Sequence, residues 1–231
     1  MRIWDVAAGY LNRQSLLGEH RELHGLYRIH ALRLAGYSRH PETIRWKRAL
    51  SGLKQRHQQL VAEMALRGYV DRTPLAARSR RIAWPSAFID LPSRQFELLQ
   101  GKYIDREQGR VPLPRGAAAI WAQHKYSVMA RDVEAYRTIG RRVARLRRGS
   151  GFEELALELT LLLRDVPSLA RSANAIEHMW GYVSKMASIA QRAHAARSPR
   201  RMLQATQALA LVHRQPYLLS STALSELTLF V

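Results

Sequence analysis

Apolar residues recur at three- and four-residue intervals along most of the chain, a spacing that one helix face satisfies and a strand does not. A first helix is expected from about Asn12 to Leu34, with Leu16, Leu17, Leu23, Leu26, Tyr27 and Ile29 as its apolar positions and Gly36 after it as a stop. A second begins at Pro41, a residue favoured in the first turn. It carries Ile44, Leu50, Leu53, Leu60, Val61 and Met64, and Gly68 ends it. The period fades from Asp71 to Arg115, where Pro74, Pro85, Pro92, Pro112 and Pro114 interrupt it. Ile82, Trp84, Phe88, Ile89, Phe96 and Leu98 still predict that this stretch packs. Further helices are expected over about 117–148, 152–164, 168–196, 199–213 and 217–229. Strand signals are weak and repeats absent. The fold class is all-α: a small helical N-terminal domain, 1–112, packed on a C-terminal helical bundle, 113–231.

Charge narrows the partners. The 231 residues hold 37 Lys+Arg against 18 Asp+Glu, a formal charge of +19. Lysine supplies Lys47, Lys54, Lys102, Lys125 and Lys185, and arginine the rest. A surface this cationic repels itself until a polyanion neutralises it. Nucleic acid is the first candidate, because the guanidinium fork bonds phosphate in pairs and releases counterions. A membrane surface competes, yet no helix pairs a basic face with an aromatic one. The hydrophobic share of 47% is too high for a disordered basic tail. With no cysteine there is no disulfide, no thiolate-bound zinc and no thiol nucleophile. Neither a bilayer-spanning run nor an apolar signal core in MRIWDVAAGY is evident. The expectation is a cytoplasmic, nucleoid-associated protein without a membrane partner.

The segment Met1–Leu26 is rich in chemistry: Arg21 and Glu22 on an amphipathic helix, with Glu19, His20 and His24 nearby. Taken alone, a Glu among bases on a polar helix face is usually a salt-bridged surface group. Leu11–Leu23, L-N-R-Q-S-L-L-G-E-H-R-E-L, resembles the opening helix of the phage pyrimidine-dimer DNA glycosylases, the endonuclease V family. Leu11, Gln14, Leu16, Glu19, Arg21, Glu22 and Leu23 carry the match. A second block, K-x-x-L-x-x-L-x-x-R-x-x-x-L-V-A-E-M-x-x-R-G-Y over Lys47–Tyr69, agrees in order and spacing, and His40 precedes it where the family has a His. The resemblance spans about residues 1–75.

The resemblance implies a glycosylase with AP-lyase activity that works through a Schiff base on the chain's own α-amine. By ungapped alignment that nucleophile falls on Met1, and the carboxylate that stabilises the cationic sugar falls on Glu22. Arg2, Gln14, Arg21 and His40 become candidate contacts to phosphate or lesion. Arg21 and Glu22 diverge by about 100° on a helix, so they flank one pocket rather than meet at one atom. A terminal amine with a pKa of roughly 7.7–8 suits the task better than a lysine near ~10.4. Neither metal nor organic cofactor is expected, because Schiff-base chemistry needs only the amine. Gly25 and Ser15 depart from the family's Arg and His, which touches lesion choice more than lyase chemistry. Trp4, Trp46 and Trp84 are stacking candidates, each more often a core residue.

Ile120–Tyr126, Tyr136–Gly140 and Asn174–Tyr182 resemble a bacterial helical domain of uncharacterised function, also found fused to thiouracil desulfurase-like modules. It covers about residues 116–231. His124, Asn174 and His178 are polar positions on apolar helices. They are read as a buried hydrogen-bond network or, alternatively, a second-domain pocket for a nucleotide. Two histidines without a carboxylate make a weak metal site there. Lys125 is a candidate nucleic-acid contact, and the run RRVARLRRG is either a solvated helix end or another such contact. The leading expectation is a DNA repair enzyme acting on double-stranded DNA with damaged bases, pyrimidine dimers or related lesions. The alternatives are a non-catalytic binding protein for structured RNA such as tRNA, and an enzyme acting on modified nucleosides.

Overall fold

In the computed structural model, residues 2–75, 82–147 and 149–231 are described. The described residues form helices joined by turns and contain no strand, so the all-α class holds. The chain divides into two compact units, Met1–Gly109 and Arg110–Val231.

In the first unit, α1 (Arg13–Ala31) starts where Asn12 caps it, its side chain accepting from Ser15 N–H at 2.9 Å. Leu16, Glu19, Leu23 and Leu26 form its buried stripe. The helix stops short of the expected Leu34: Leu32 and Leu34 are exposed, so no burial rewards extension, and Arg33 adopts a left-handed φ of 52°. The expected second helix is two. In α2 (Pro41–Trp46), Trp46 turns inward, its indole N–H donating to Glu42 Oε1 at 2.8 Å. After a break, α3 (Leu50–Leu66) packs along α1. The proline-rich stretch holds α4 (Pro92–Lys102), which opens on a proline that needs no N–H partner there. Gly52 in α3 is a close-approach position. Its N–H donates to Ala83 O at 3.1 Å, and a Cβ would meet that oxygen at 2.4 Å.

In the second unit the expected 117–148 helix is α5 (Ala117–Met129) and α6 (Val133–Arg145). Asp132 divides them, accepting from Glu134 and Ala135 N–H at 2.8 and 3.0 Å. Arg131 is drawn inward at the same corner, to Ser127 O, Leu163 O, Asp165 O and the Glu226 carboxylate. Then come α7 (Phe152–Leu162), α8 (Leu169–Trp180), α9 (Ile189–Ala195), α10 (Pro199–Val212), α11 (Pro216–Leu219) and α12 (Ala223–Glu226). The expected 168–196 helix is α8 and α9. It is cut at Gly181 and restarted by a capping box in which Ser188 and Gln191 bond each other's backbone. Central α5 packs against α6, α7, α8 and α12, while α10 covers α8 and α9. No helix of the described residues is long and apolar enough to cross a membrane.

Candidate active site

The N-terminal segment is the unusual feature of the first unit. Ile3, Trp4 and Val6 are buried although they belong to no helix, so their backbone needs partners that a helix would have supplied internally. Side chains provide them. Arg56 donates to Val6 O at 2.9 Å, and Arg67 to Leu11 O and Gly9 O at 2.7 and 3.1 Å. Gln95 of α4 accepts from Asp5 N–H at 2.8 Å and returns a bond to the Asp5 carboxylate at 2.9 Å. Each arginine is held by a buried acid. Arg56 grips both oxygens of Glu19 at 2.7 and 3.0 Å, and Arg67 pairs with Glu63 at 2.7 Å. Arg45 joins Asp5 to Glu42. Burial pushes the Glu19 carboxyl upward against the opposing pull of Arg56, and Glu42 likewise against Arg45.

This clamp delivers Arg2 to α1. The Arg2 backbone N–H donates to the Glu22 carboxylate, and the Arg2 guanidinium pairs with Asp90 while lying 4.7 Å over the Trp4 ring. Met1 lies outside the described residues, but the peptide nitrogen that bonds Glu22 is the one that attaches Met1 to the chain. A cleft of about 340 Å³ opens here, lined by Arg2, Trp4, Gln14, Glu22 and Lys102 among others. A second, of about 670 Å³, is lined by Arg13, Gln14, Arg21 and Arg106 among others. Glu22 thus edges one cleft and Arg21 the other, with Gln14 shared, so the two neighbours flank adjoining clefts rather than one pocket. An exposed carboxylate among cations has the chemistry to stabilise a positive charge developing on a polyanionic ligand.

The remaining candidates lie elsewhere. His40 caps α2, its Nδ1 accepting from Glu42 N–H at 3.2 Å, and it lines neither cleft. Trp46 is buried away from both clefts, while Trp4, largely buried, lines the Glu22 cleft. In the second unit Lys125 lies over the Tyr126 and Tyr217 rings at 5.0 and 4.7 Å. His124 is buried, Nδ1 3.1 Å from Thr222 Oγ1, and burial with the Arg131 charge lowers it to about 3. His178 is exposed and Asn174 half-buried, which corrects the expected buried network: the outward turn of α8 leaves His178 in solvent. Arg13, Lys102 and Arg106 were missed from the sequence, being indistinguishable there from other solvated bases.

Also missed was a group on the first unit: His20 and His24 of α1, His57 of α3, and Asp71. Their ligand-capable atoms all lie within 4.8 Å of one another. Burial, then the other imidazoles, lowers His57 to about 4 and lowers His24. Burial alone would raise Asp71, but the Thr73 N–H bond and the neighbouring imidazoles hold it below its ordinary value. The available signal was His-x₃-His on one helix face.

The pyrimidine dimer DNA glycosylase family model matches residues 1–77. A family described as a protein of unknown function (DUF1722) matches residues 125–226. Both resemblances read from the sequence are thereby found again. No curated protein and no solved structure matches the chain.

Proposed function

We propose that the first unit is a DNA glycosylase with AP-lyase activity on pyrimidine dimers or related base lesions, the α-amine of Met1 serving as nucleophile and Glu22 as its carboxylate partner. The observation that carries this reading is the bond from Arg2 N–H to Glu22, one peptide from the amine. The similarity of residues 1–77 to pyrimidine dimer DNA glycosylases supports it.

The amine nitrogen attacks C1′ of the damaged nucleotide. The C1′–base bond breaks, and the base leaves with the bonding electrons and is protonated. The sugar ring opens to an iminium, the C2′ proton is lost, and the C3′–O bond breaks with the phosphate departing. Glu22 stabilises the cationic C1′ and moves the protons. Arg21, Arg13 and Arg106 give the adjoining cleft the charge to hold phosphates, and Lys102 adds to Arg2 beside Glu22. The damaged nucleotide or its partner leaves the stack to react.

Borohydride reduction tests the reading. A covalent protein–DNA adduct is expected on abasic and ultraviolet-irradiated duplexes. Glu22→Gln is expected to slow base release by about 10²- to 10⁴-fold with DNA binding retained. An N-terminal extension, verified by intact mass, is expected to abolish trapping. No adduct on any DNA, or full lyase activity in the extended chain, rejects the amine mechanism and favours a non-catalytic binder, with tRNA the first ligand to titrate.

A further inference from the structure

We propose that His20, His24, His57 and Asp71 bind one divalent transition-metal cation, zinc by the chemistry of the donor set. The site is separate from Glu22: residues two apart on a helix point about 200° apart, so His20 and His24 occupy the opposite side of α1 from Glu22.

The geometry is that of a ligand shell. Each ring centroid lies 4.8 or 4.9 Å from the other two, so the imidazoles form a closed triangle. Nε2 of His24 and Nε2 of His57 are 3.1 Å apart. His20 Nε2 is 3.3 Å from Asp71 Oδ1, and His57 Nε2 is 3.8 Å from Asp71 Oδ2. Tetrahedral ligands with metal bonds of about 2.0–2.1 Å stand roughly 3.3 Å from one another. The observed separations bracket that value.

Hydrogen bonding among the side chains leaves the group incomplete. One N–H···N bond serves His24 and His57, and Thr73 Oγ1 lies 3.1 Å from the same His24 nitrogen. His20 Nε2 is shielded from solvent and makes no hydrogen bond; its approach to Asp71 meets the ion-pair distance but not hydrogen-bond geometry. A cation at the centre takes a lone pair from each of the three imidazoles and a charge from Asp71. Thr73 N–H, donating to Asp71 Oδ1 at 2.9 Å, is the outer partner that orients the carboxylate. Imidazole nitrogens with one carboxylate select zinc over magnesium or calcium, which take oxygen. The cation joins α1, α3 and the segment around Asp71, three separate pieces of the first unit. Its role is therefore to brace the helix that carries Glu22.

The test uses the full-length protein. Metal analysis after expression with added zinc is expected to give one zinc per chain. Calorimetric titration of chelator-stripped protein with Zn²⁺ is expected to saturate at one equivalent and raise the melting temperature. Cobalt substitution is expected to produce the visible d–d bands of a tetrahedral site. His24→Gln, at a half-exposed position, is expected to weaken zinc binding at least about 100-fold, since even outer partners of metal ligands cost about 10- to 100-fold. Circular dichroism verifies that this variant folds. Absence of zinc binding by the wild-type chain, or equal binding by His24→Gln, overturns the proposal. Because the readout is metal, its failure is distinguishable from failure of borohydride trapping.

Discussion

The two units keep charge inside for different ends. The first buries Glu19, Glu42, Arg56, His57 and Glu63, and most of these hold an extended segment that brings Arg2 to Glu22. Among its described residues, the second buries only His124 and Arg131 as acidic, basic or imidazole groups, and both tie neighbouring elements together within an apolar bundle. A buried ion pair adds little net stability, because desolvation offsets the attraction. Five such residues in the smaller unit are therefore better explained by positioning than by stability. The second unit turns its charge outward: Arg137, Arg141 and Arg145 stand exposed on α6.

The largest expected effect strikes the first unit alone. Arg56→Met leaves Glu19 buried without its partner and releases Val6 O, and is expected to cost about 3–5 kcal/mol. Amide exchange is expected to lose protection over residues 2–75 and to keep it over 117–231. Equal loss in both units would erase the contrast.

A pH effect of a few kcal/mol is expected in the second unit. His124 stays neutral when folded because its pKa is lowered to about 3, whereas the unfolded chain takes up a proton near the ordinary 6.5. Its contribution is complete above pH 6.5 and is lost as pH falls toward 3. Exchange protection in α5 and α12 is expected to fall through this window, and His124→Gln is expected to flatten the dependence. An unchanged slope in that variant would assign the acid sensitivity elsewhere.

The smallest effect concerns binding. Replacing Arg137, Arg141 and Arg145 by Gln is expected to change stability by less than about 0.5 kcal/mol. Each phosphate contact removed should flatten the salt dependence of duplex DNA affinity by about 0.9 in logarithmic slope. An unaltered slope would confine the DNA surface to the first unit.

Helix content was legible because the 3.6-residue period of Leu16, Leu23 and Leu26 is a local property, and so were the helix starts near Asn12 and at Pro41. Helix breaks were less so. Asp132 reads as a polar residue in a helical run until Arg131 turns inward and leaves the backbone to restart. Among the residues that line the clefts, Glu22 and Gln14 were singled out through the resemblance, while Glu19 and Arg56, in the same matched blocks, proved to be partners of each other. The sequence by itself determined an all-α, strongly cationic chain with two distinct parts, because period and charge are carried residue by residue. Only the tertiary structure decided that Arg2 meets Glu22 and that His57 and Asp71 meet His20 and His24. Those meetings depend on how α1 lies against α3 and on the clamp around residues 2–12, and no local spacing encodes either.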